Sequence, residues 1–460
     1  MKIRHFKKLA AAVLLVATLF TCTSCVSPLG LPAWALIEGA EAKLAFASSF
    51  TVNSTLSLTI PKKNGKPTTV VEEGRTEYYG LNKNAFSYYS EFKTTVEKSG
   101  QTTKSTRMEA FSEGTHLLET MLGNEVVNRL SSTLTKAEFL DYLEEDAAVD
   151  FTDASLGDCS STVYKFSSDG KAMMVCSGFG SEELARLSAL TRGIEYLFPT
   201  GTVLSDVRFT VTANLFGYPE TVRLEYLYEG ANSDLLPTLT VENVYEHINS
   251  TERYVYTPTP LKKFTECSDI RVIKQIDNML CARRFAEKGE FQYGQNVNAS
   301  DHVNYERASA GGTISFGVNE GGFYYTSSES ENDSHYTRTY ENGTKTTITK
   351  KNGQVVDEKT VEASASSERS IMEGKMVPFL LDGQTIKSIE RTDSGWSISF
   401  KKAAYSIAGV GRTDGLKSAV MNVTVKNGEI TKFEYAQTSV ISSSRQTVTV
   451  NVSYLVKFVE

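Results

Sequence analysis

Near the end of the chain stands Lys426-Asn427-Gly428-Glu429-Ile430-Thr431-Lys432-Phe433-Glu434-Tyr435, and its reading decides the fold. Asn-Gly supplies the two positive φ angles that a two-residue hairpin turn needs. Strands run into and out of that turn. The same signal recurs at Asn64-Gly65, Asn342-Gly343 and Asn352-Gly353. From Thr447 to Tyr454 the alternation is plain, with Val448, Val450 and Val452 on one face, the two-residue period of a half-buried strand. The chain reads as long antiparallel strands joined by tight turns.

The opening stretch has a counterpart. Glu220-Thr221-Val222-Arg223-Leu224-Glu225-Tyr226 matches Glu429 to Tyr435 in its pattern of charged and apolar positions. Gly80-Leu81-Asn82 precedes Phe86-Ser87-Tyr88-Tyr89 at the offset by which Gly317-Val318-Asn319 precedes Phe323-Tyr324-Tyr325. Each half opens with a helix running into a strand. Ala33 to Ala47 leads into Phe50; Ser268 to Glu287, with Ile270, Ile273, Ile276 and Leu280 near one face, leads into Phe291. Repetition at this length points to a duplicated chain. The prolines of Tyr256-Thr257-Pro258-Thr259-Pro260 divide it, since proline interrupts regular elements.

Helices are few. Thr135-Lys136-Ala137-Glu138 is a capping box opening a helix to about Ala147. Ser181 caps another, with Leu184, Leu187, Leu190, Ile194 and Leu197 along a stripe that Pro199 stops. A third runs from Ser366 to Leu381, interrupted by Gly374 and Pro378. With strands predominating and no βαβ rhythm, the expected class is α+β with antiparallel sheets.

The first residues carry an address. Lys2, Arg4, Lys7 and Lys8 precede an apolar run from Leu9 to Phe20, too short to span a bilayer and right for a signal segment. Thr21-Cys22-Thr23-Ser24-Cys25 resembles the lipobox of bacterial lipoproteins, in which a small residue precedes the acylated cysteine. Cys25, after Ser24, is the expected lipidation site, with Cys22 as the alternative. Two acyl chains suffice for a stable anchor. The expected layout is a leader at 1–25, a tether at 26–32, a module at 33–250, a linker at 251–263 and a second module at 264–460.

The 460 residues carry a formal net charge of −7, with no basic stripe beyond the leader. That argues against nucleic acid as a partner, because phosphates need clustered Lys and Arg. Cys159 and Cys176 flank a hairpin turning at Ser168-Asp169-Gly170; counting back places Cys176 opposite about Ser161, with Cys159 diagonal to it. They are a candidate disulfide, which an exported location permits. Cys267 and Cys281 read as one helix, about 21 Å apart at 1.5 Å per residue, and pair only if it breaks.

No catalytic constellation stands out. The histidines are scattered singly, with no HExxH, GxSxG or phosphate-loop pattern. The carboxylates from Glu144 to Asp158 read as solvated surface, and the acidic loop Ser327 to Ser334 lacks alternate-position calcium ligands. No enzyme, metal or cofactor is expected. What remains is hydrophobic: Phe86, Tyr88, Phe323, Tyr325, Phe433 and Tyr435, which line a cavity or fill a core.

A leading helix running into Ser49-Phe50-Thr51, long meandering strands, inserted helices and the closing phrase Lys426 to Phe433 together resemble the LolA-like superfamily. That group includes the lipoprotein carrier LolA, LolB, LppX, LprG and the RseB sensor domain. The resemblance covers about 33–249 and 264–460. It implies two tandem curved antiparallel sheets, incomplete barrels each covered by a few short helices, with acyl chains held between sheet and helices in the lipid-binding members. The function expected is a membrane-anchored extracytoplasmic lipoprotein binding a lipid or other apolar ligand. The alternative is a non-catalytic envelope sensor or scaffold whose filled modules bind a protein partner.

Overall fold

The computed structural model describes residues 30–459 apart from 82–84, 124, 145–158, 190, 192–193, 195–196, 200, 231, 252–264, 267–268, 302–304, 320–321, 377–380, 382–384, 402–414 and 443–446. The leader with Cys22 and Cys25, the proline linker and Cys267 lie outside the described residues.

Two large sheets carry almost everything. The first comprises β1 (Ser49–Ile60), β2 (Thr68–Tyr79), β3 (Ser87–Lys98), β4 (Gln101–Ser112), β5 (Thr115–Leu122), β6 (Glu125–Thr133), β7 (Cys159–Phe166), β8 (Ala172–Phe179), β9 (Val203–Ala213), β10 (Pro219–Glu229) and β11 (Thr238–Glu246). Its order is β6-β5-β4-β3-β2-β1-β11-β10-β9-β8-β7, with the two-residue β12 (Thr265–Glu266) added parallel to β6. The second comprises β13 (Lys288–Ser300), β14 (Tyr305–Asn319), β15 (Gly322–Glu331), β16 (Ser334–Glu341), β17 (Thr344–Lys351), β18 (Gln354–Glu362), β19 (Ile386–Thr392), β20 (Gly395–Phe400), β21 (Leu416–Lys426), β22 (Glu429–Ser442) and β23 (Thr447–Phe458). Its order is β18-β17-β16-β15-β14-β13-β23-β22-β21-β20-β19. Position for position, the two orders are the same. Neither sheet closes on itself.

Among the described residues five α-helices accompany them: α1 (Ala33–Ala45), α2 (Lys136–Glu144), α3 (Ser181–Ala189), α4 (Val272–Arg284) and α5 (Ala365–Met376). None exceeds 13 residues, so they cannot form a layer of their own. The molecule is mostly β, antiparallel throughout apart from β12, which corrects the α+β expectation. Among the described residues no helix is long and apolar enough to cross a membrane.

The turns follow from their residues. Asn342-Gly343, Asn352-Gly353 and Asn427-Gly428 hold φ pairs of 50° and 77°, 50° and 78°, and 54° and 83°, matching the right-handed twist of the strands they join. At the head of α2 the capping box closes as read: the Thr135 backbone N–H donates to Glu138 Oε2 at 2.8 Å and the Glu138 N–H to Thr135 Oγ1 at 3.2 Å.

The junction is interlocked. Cys281 and Phe285, at the end of α4, pack into the first core, while Leu130 of β6 packs into the second. Arg271 donates to the Glu138 carbonyl at 3.1 Å, Asn128 to the Ile386 carbonyl at 3.1 Å and Lys401 to the Val127 carbonyl at 2.7 Å.

Candidate functional site

Because the two sheets share one order, their ladders can be read against each other. In the first, Tyr88 of β3 pairs with Phe111 of β4, which pairs with His116 of β5. In the second, Tyr325 of β15 pairs with Tyr340 of β16, which pairs with Lys345 of β17. A helix follows the sixth strand of each sheet and covers this patch. Its fourth residue is Phe139 in α2 and Glu368 in α5.

Equivalent places thus hold opposite chemistry. Phe139 is fully buried, stacked on Phe111 at 4.4 Å and edge-on to Tyr88 and His116 at 5.2 and 4.9 Å. It plugs the space between helix and sheet. Glu368 instead accepts a hydrogen bond from Tyr325 Oη at 2.7 Å and pairs with Lys345 Nζ at 2.8 Å. Two residues before Phe111 comes Glu109, which His116 and Tyr142 engage at 2.7 and 2.8 Å. Two residues before Tyr340 comes Arg338.

Arg338 serves a second carboxylate. Glu329 of β15 meets Arg338 Nη1 at 2.6 Å, Tyr293 Oη at 2.6 Å, Ser327 Oγ at 2.7 Å and Lys375 Nζ of α5. Room for it comes from Gly312, which lies between Tyr293 and Glu329 in the ladder. A Cβ on Gly312 would fall 2.3 Å from the Ser328 carbonyl oxygen and 2.9 Å from Glu329 Cγ. Burial would raise the Glu329 carboxyl, but the Lys375 charge and the hydrogen bonds from Lys375, Tyr293 and Ser327 outweigh it and hold it at about 2. Burial, together with donation to Glu368, pushes the Tyr325 hydroxyl well above the ordinary phenol range.

Two adjoining spaces open beneath α5. One of about 180 Å³ is lined by Ile314, Tyr325, Glu329, Arg338, Ile371, Met372 and the two lysines. The other, about 240 Å³, shares Glu329, Arg338 and Lys375 and reaches Tyr293, Tyr336 and Tyr454. Each is below the roughly 300 Å³ at which small-molecule cavities begin, but they meet at the same three side chains. The depths are graded. Side chains of Glu329 and Glu368 are 4% and 5% exposed, whereas Arg338, Lys345 and Lys375 are 22%, 20% and 26% exposed. Cations form the mouth and carboxylates the base, with buried Ile314 and Met372 beside them.

Of the six aromatic residues expected to line a cavity or fill a core, Tyr325 borders this cleft. Phe86 and Tyr88 are buried in the first core beside Phe139. Phe433 and Tyr435 are buried in the second, beside Phe458 and Phe400. Phe323 is half-buried against Tyr340 at 6.0 Å. Cys159 and Cys176 are thiols rather than a cystine, and the register differs by one residue from the count: Thr162, not Ser161, stands opposite Cys176. Thr162 Oγ1 lies 2.9 Å from Cys159 Sγ and 3.6 Å from Cys176 Sγ. Burial pushes the Cys176 thiol up to about 12. Among the described residues no group of three or more His, Cys, Asp or Glu is placed to hold a metal ion.

The ionic residues of the cleft were missed because charges in strands read as solvent-facing. One signal was available: Glu329 shares the two-residue period of Tyr325 and Ser327, which places it inward with them.

No family model matches the chain, and no curated protein does. Among solved structures it is similar to a transferrin-binding protein B mutant from Haemophilus parasuis, at 8% identity over 90% of this chain and 76% of that one, with a TM-score of 0.14. It is also similar to a putative AttH from Nitrosomonas europaea (6% identity, 89% and 92% coverage, TM-score 0.15). A third is a porin-like protein from Bacteroides uniformis (8% identity, 90% and 97% coverage, TM-score 0.12). Scores this low assign neither fold family nor function.

Proposed function

We propose that this chain is a membrane-tethered extracytoplasmic binding protein built of two LolA-like units, each an incomplete curved barrel with a helix across its open side. The first unit is filled and serves as a platform; the second takes a small ligand with an apolar part. The observation that carries this reading is the contrast at one helix position, Phe139 plugging the first unit and Glu368 standing beside a cleft in the second. The buried Ile314 and Met372 beside the cleft suit an apolar ligand part. Glu329, held at about 2 and engaged by cations and a phenol, is not poised for acid–base work at neutral pH, and the reading is of binding rather than catalysis. Attachment follows the leader, through Cys25.

Two measurements test this. Native mass spectrometry of residues 26–460, gently purified from the extracytoplasmic fraction, should show a bound small molecule that Met372→Trp, which fills the cleft, removes. Ligand-free protein from every preparation overturns the binding reading. Cys25→Ser should move the chain from the membrane fraction to the soluble one, whereas Cys22→Ser should not; the reverse result would reassign the anchor. The filled first core also supports a second reading, in which this unit recognises a protein partner of the envelope.

A further inference from the structure

We infer that the cleft beneath α5 is a site for a compact oxyanion, a carboxylate or phosphate, held across Arg338, Lys345 and Lys375. This rests on the reading of the second unit as a binding module and specifies the chemistry it recognises.

Three observations converge on it. First, three cations, Arg338, Lys345 and Lys375, converge on one cleft, facing Glu329 and Glu368 with Glu331 bordering the adjoining space, in a protein whose overall charge is −7. Local attraction for an anion therefore owes nothing to the general field of the molecule. Second, the charges are layered: the carboxylates lie at the base and the cations at the mouth, so an approaching ligand meets donors before it meets acceptors. Third, the donors exceed what the base consumes. Lys345 carries three N–H groups and is bonded to Glu368, while Arg338 spends Nη1 on Glu329 and lays its guanidinium over Tyr336 at 4.6 Å. The remaining fork of an arginine matches the geometry of two oxygens on one carbon or phosphorus. At the corresponding ladder positions the first unit has Glu109 for Arg338 and His116 for Lys345, and at the corresponding helix position Phe139 for Glu368, so neither Arg338 nor Lys345 has a lysine or arginine counterpart there.

The test uses the chain lacking residues 1–25 and two substitutions on one ion pair. Lys345→Gln removes a cation from the mouth, and Glu368→Gln removes the competing anion while keeping an acceptor for Tyr325. Both break the same pair, so a purely structural role changes both alike. For an oxyanion site they act oppositely on affinity. At an effective dielectric of about 40 and about 6 Å, one unit charge is worth about a tenfold change. Inorganic phosphate titrated by calorimetry should bind about tenfold more weakly to the first variant and about tenfold more tightly to the second. A parallel arm floats the protein with phosphatidylcholine vesicles with and without phosphatidic acid. Phosphate binding without vesicle preference identifies a free oxyanion as the ligand. Vesicle binding that requires phosphatidic acid and is lost in Lys345→Gln identifies a lipid headgroup. Binding of neither probe overturns the inference, as does a change of the same sign in both variants. If native mass spectrometry shows a ligand that survives Lys345→Gln, the binding reading stands and the oxyanion site falls.

Discussion

A methyl group at Gly312 would have to push aside either the β15 backbone or Glu329. Gly312→Ala should therefore cost about 1–3 kcal/mol, read as a lower urea midpoint. Glu329 itself gives a pH signature with a definite sign. Its folded-state pKa is depressed to about 2, against about 4.3 for a free glutamate. The stabilisation is thus complete above about pH 4.3 and fades as pH falls towards 2, amounting to about 3 kcal/mol at neutral pH. The stability difference between wild type and Glu329→Gln should shrink across that window; a difference flat from pH 5 to 2 would contradict the assignment. At this scale the sequence was half legible. Tyr88 and Tyr325 were matched by pattern, and the ladder puts them in equivalent places. The ions around Tyr325 were not recognised, because their partners come from α5 and from three strands that only the fold brings together.

Helices α2 and α5 occupy the same step of the chain and differ in what they insert. Phe139→Ala should open a cavity in the first unit at a cost of about 3–5 kcal/mol, with a small apolar probe such as benzene restoring part of the lost melting temperature. Thr135→Ala removes one half of the capping box and should cost about 1 kcal/mol, measurable by chemical denaturation with no change in the second unit's ligand response. Turn chemistry was legible at Asn342-Gly343, Asn352-Gly353 and Asn427-Gly428, but Asn64-Gly65 lies within a longer connection, 61–67, where Gly65 has a positive φ and Asn64 does not. Ser99-Gly100 and Glu113-Gly114 adopt the same positive-φ pairs, 55° with 80° and 51° with 81°. They were overlooked because glycine alone marks the second position while the first carries no asparagine. Helix ends were less legible: α5 was expected to start at Ser366 and begins at Ala365, and it is seated on the sheet by ion pairs as well as by Met372 and Met376.

Across the whole molecule, the two sheets share core residues at their junction, so they should not melt independently. Phe285→Ala, which removes an α4 side chain from the first core, should lower one calorimetric transition rather than split off a second. Two separately resolved transitions in wild type would show that the interlock is weak. The repeat itself was legible from motif offsets, yet the interlock was not, because Cys281, Phe285 and Leu130 look like ordinary core residues of their own segments.

The strand order has a kinetic consequence. Each unit's first strand pairs with its last: Thr51 sits opposite Glu246, and Phe291 opposite Phe458. The outer hairpins can zip locally as they emerge, but the central seam of each sheet must wait for almost the whole unit. Contacts of such long sequence separation are slow to form, and until then β1 and β13 each present an open edge to any other strand nearby. The first unit would be waiting for its seam while the second, built on the same plan, arrives beside it. Mispairing between repeats is the characteristic hazard of such a chain.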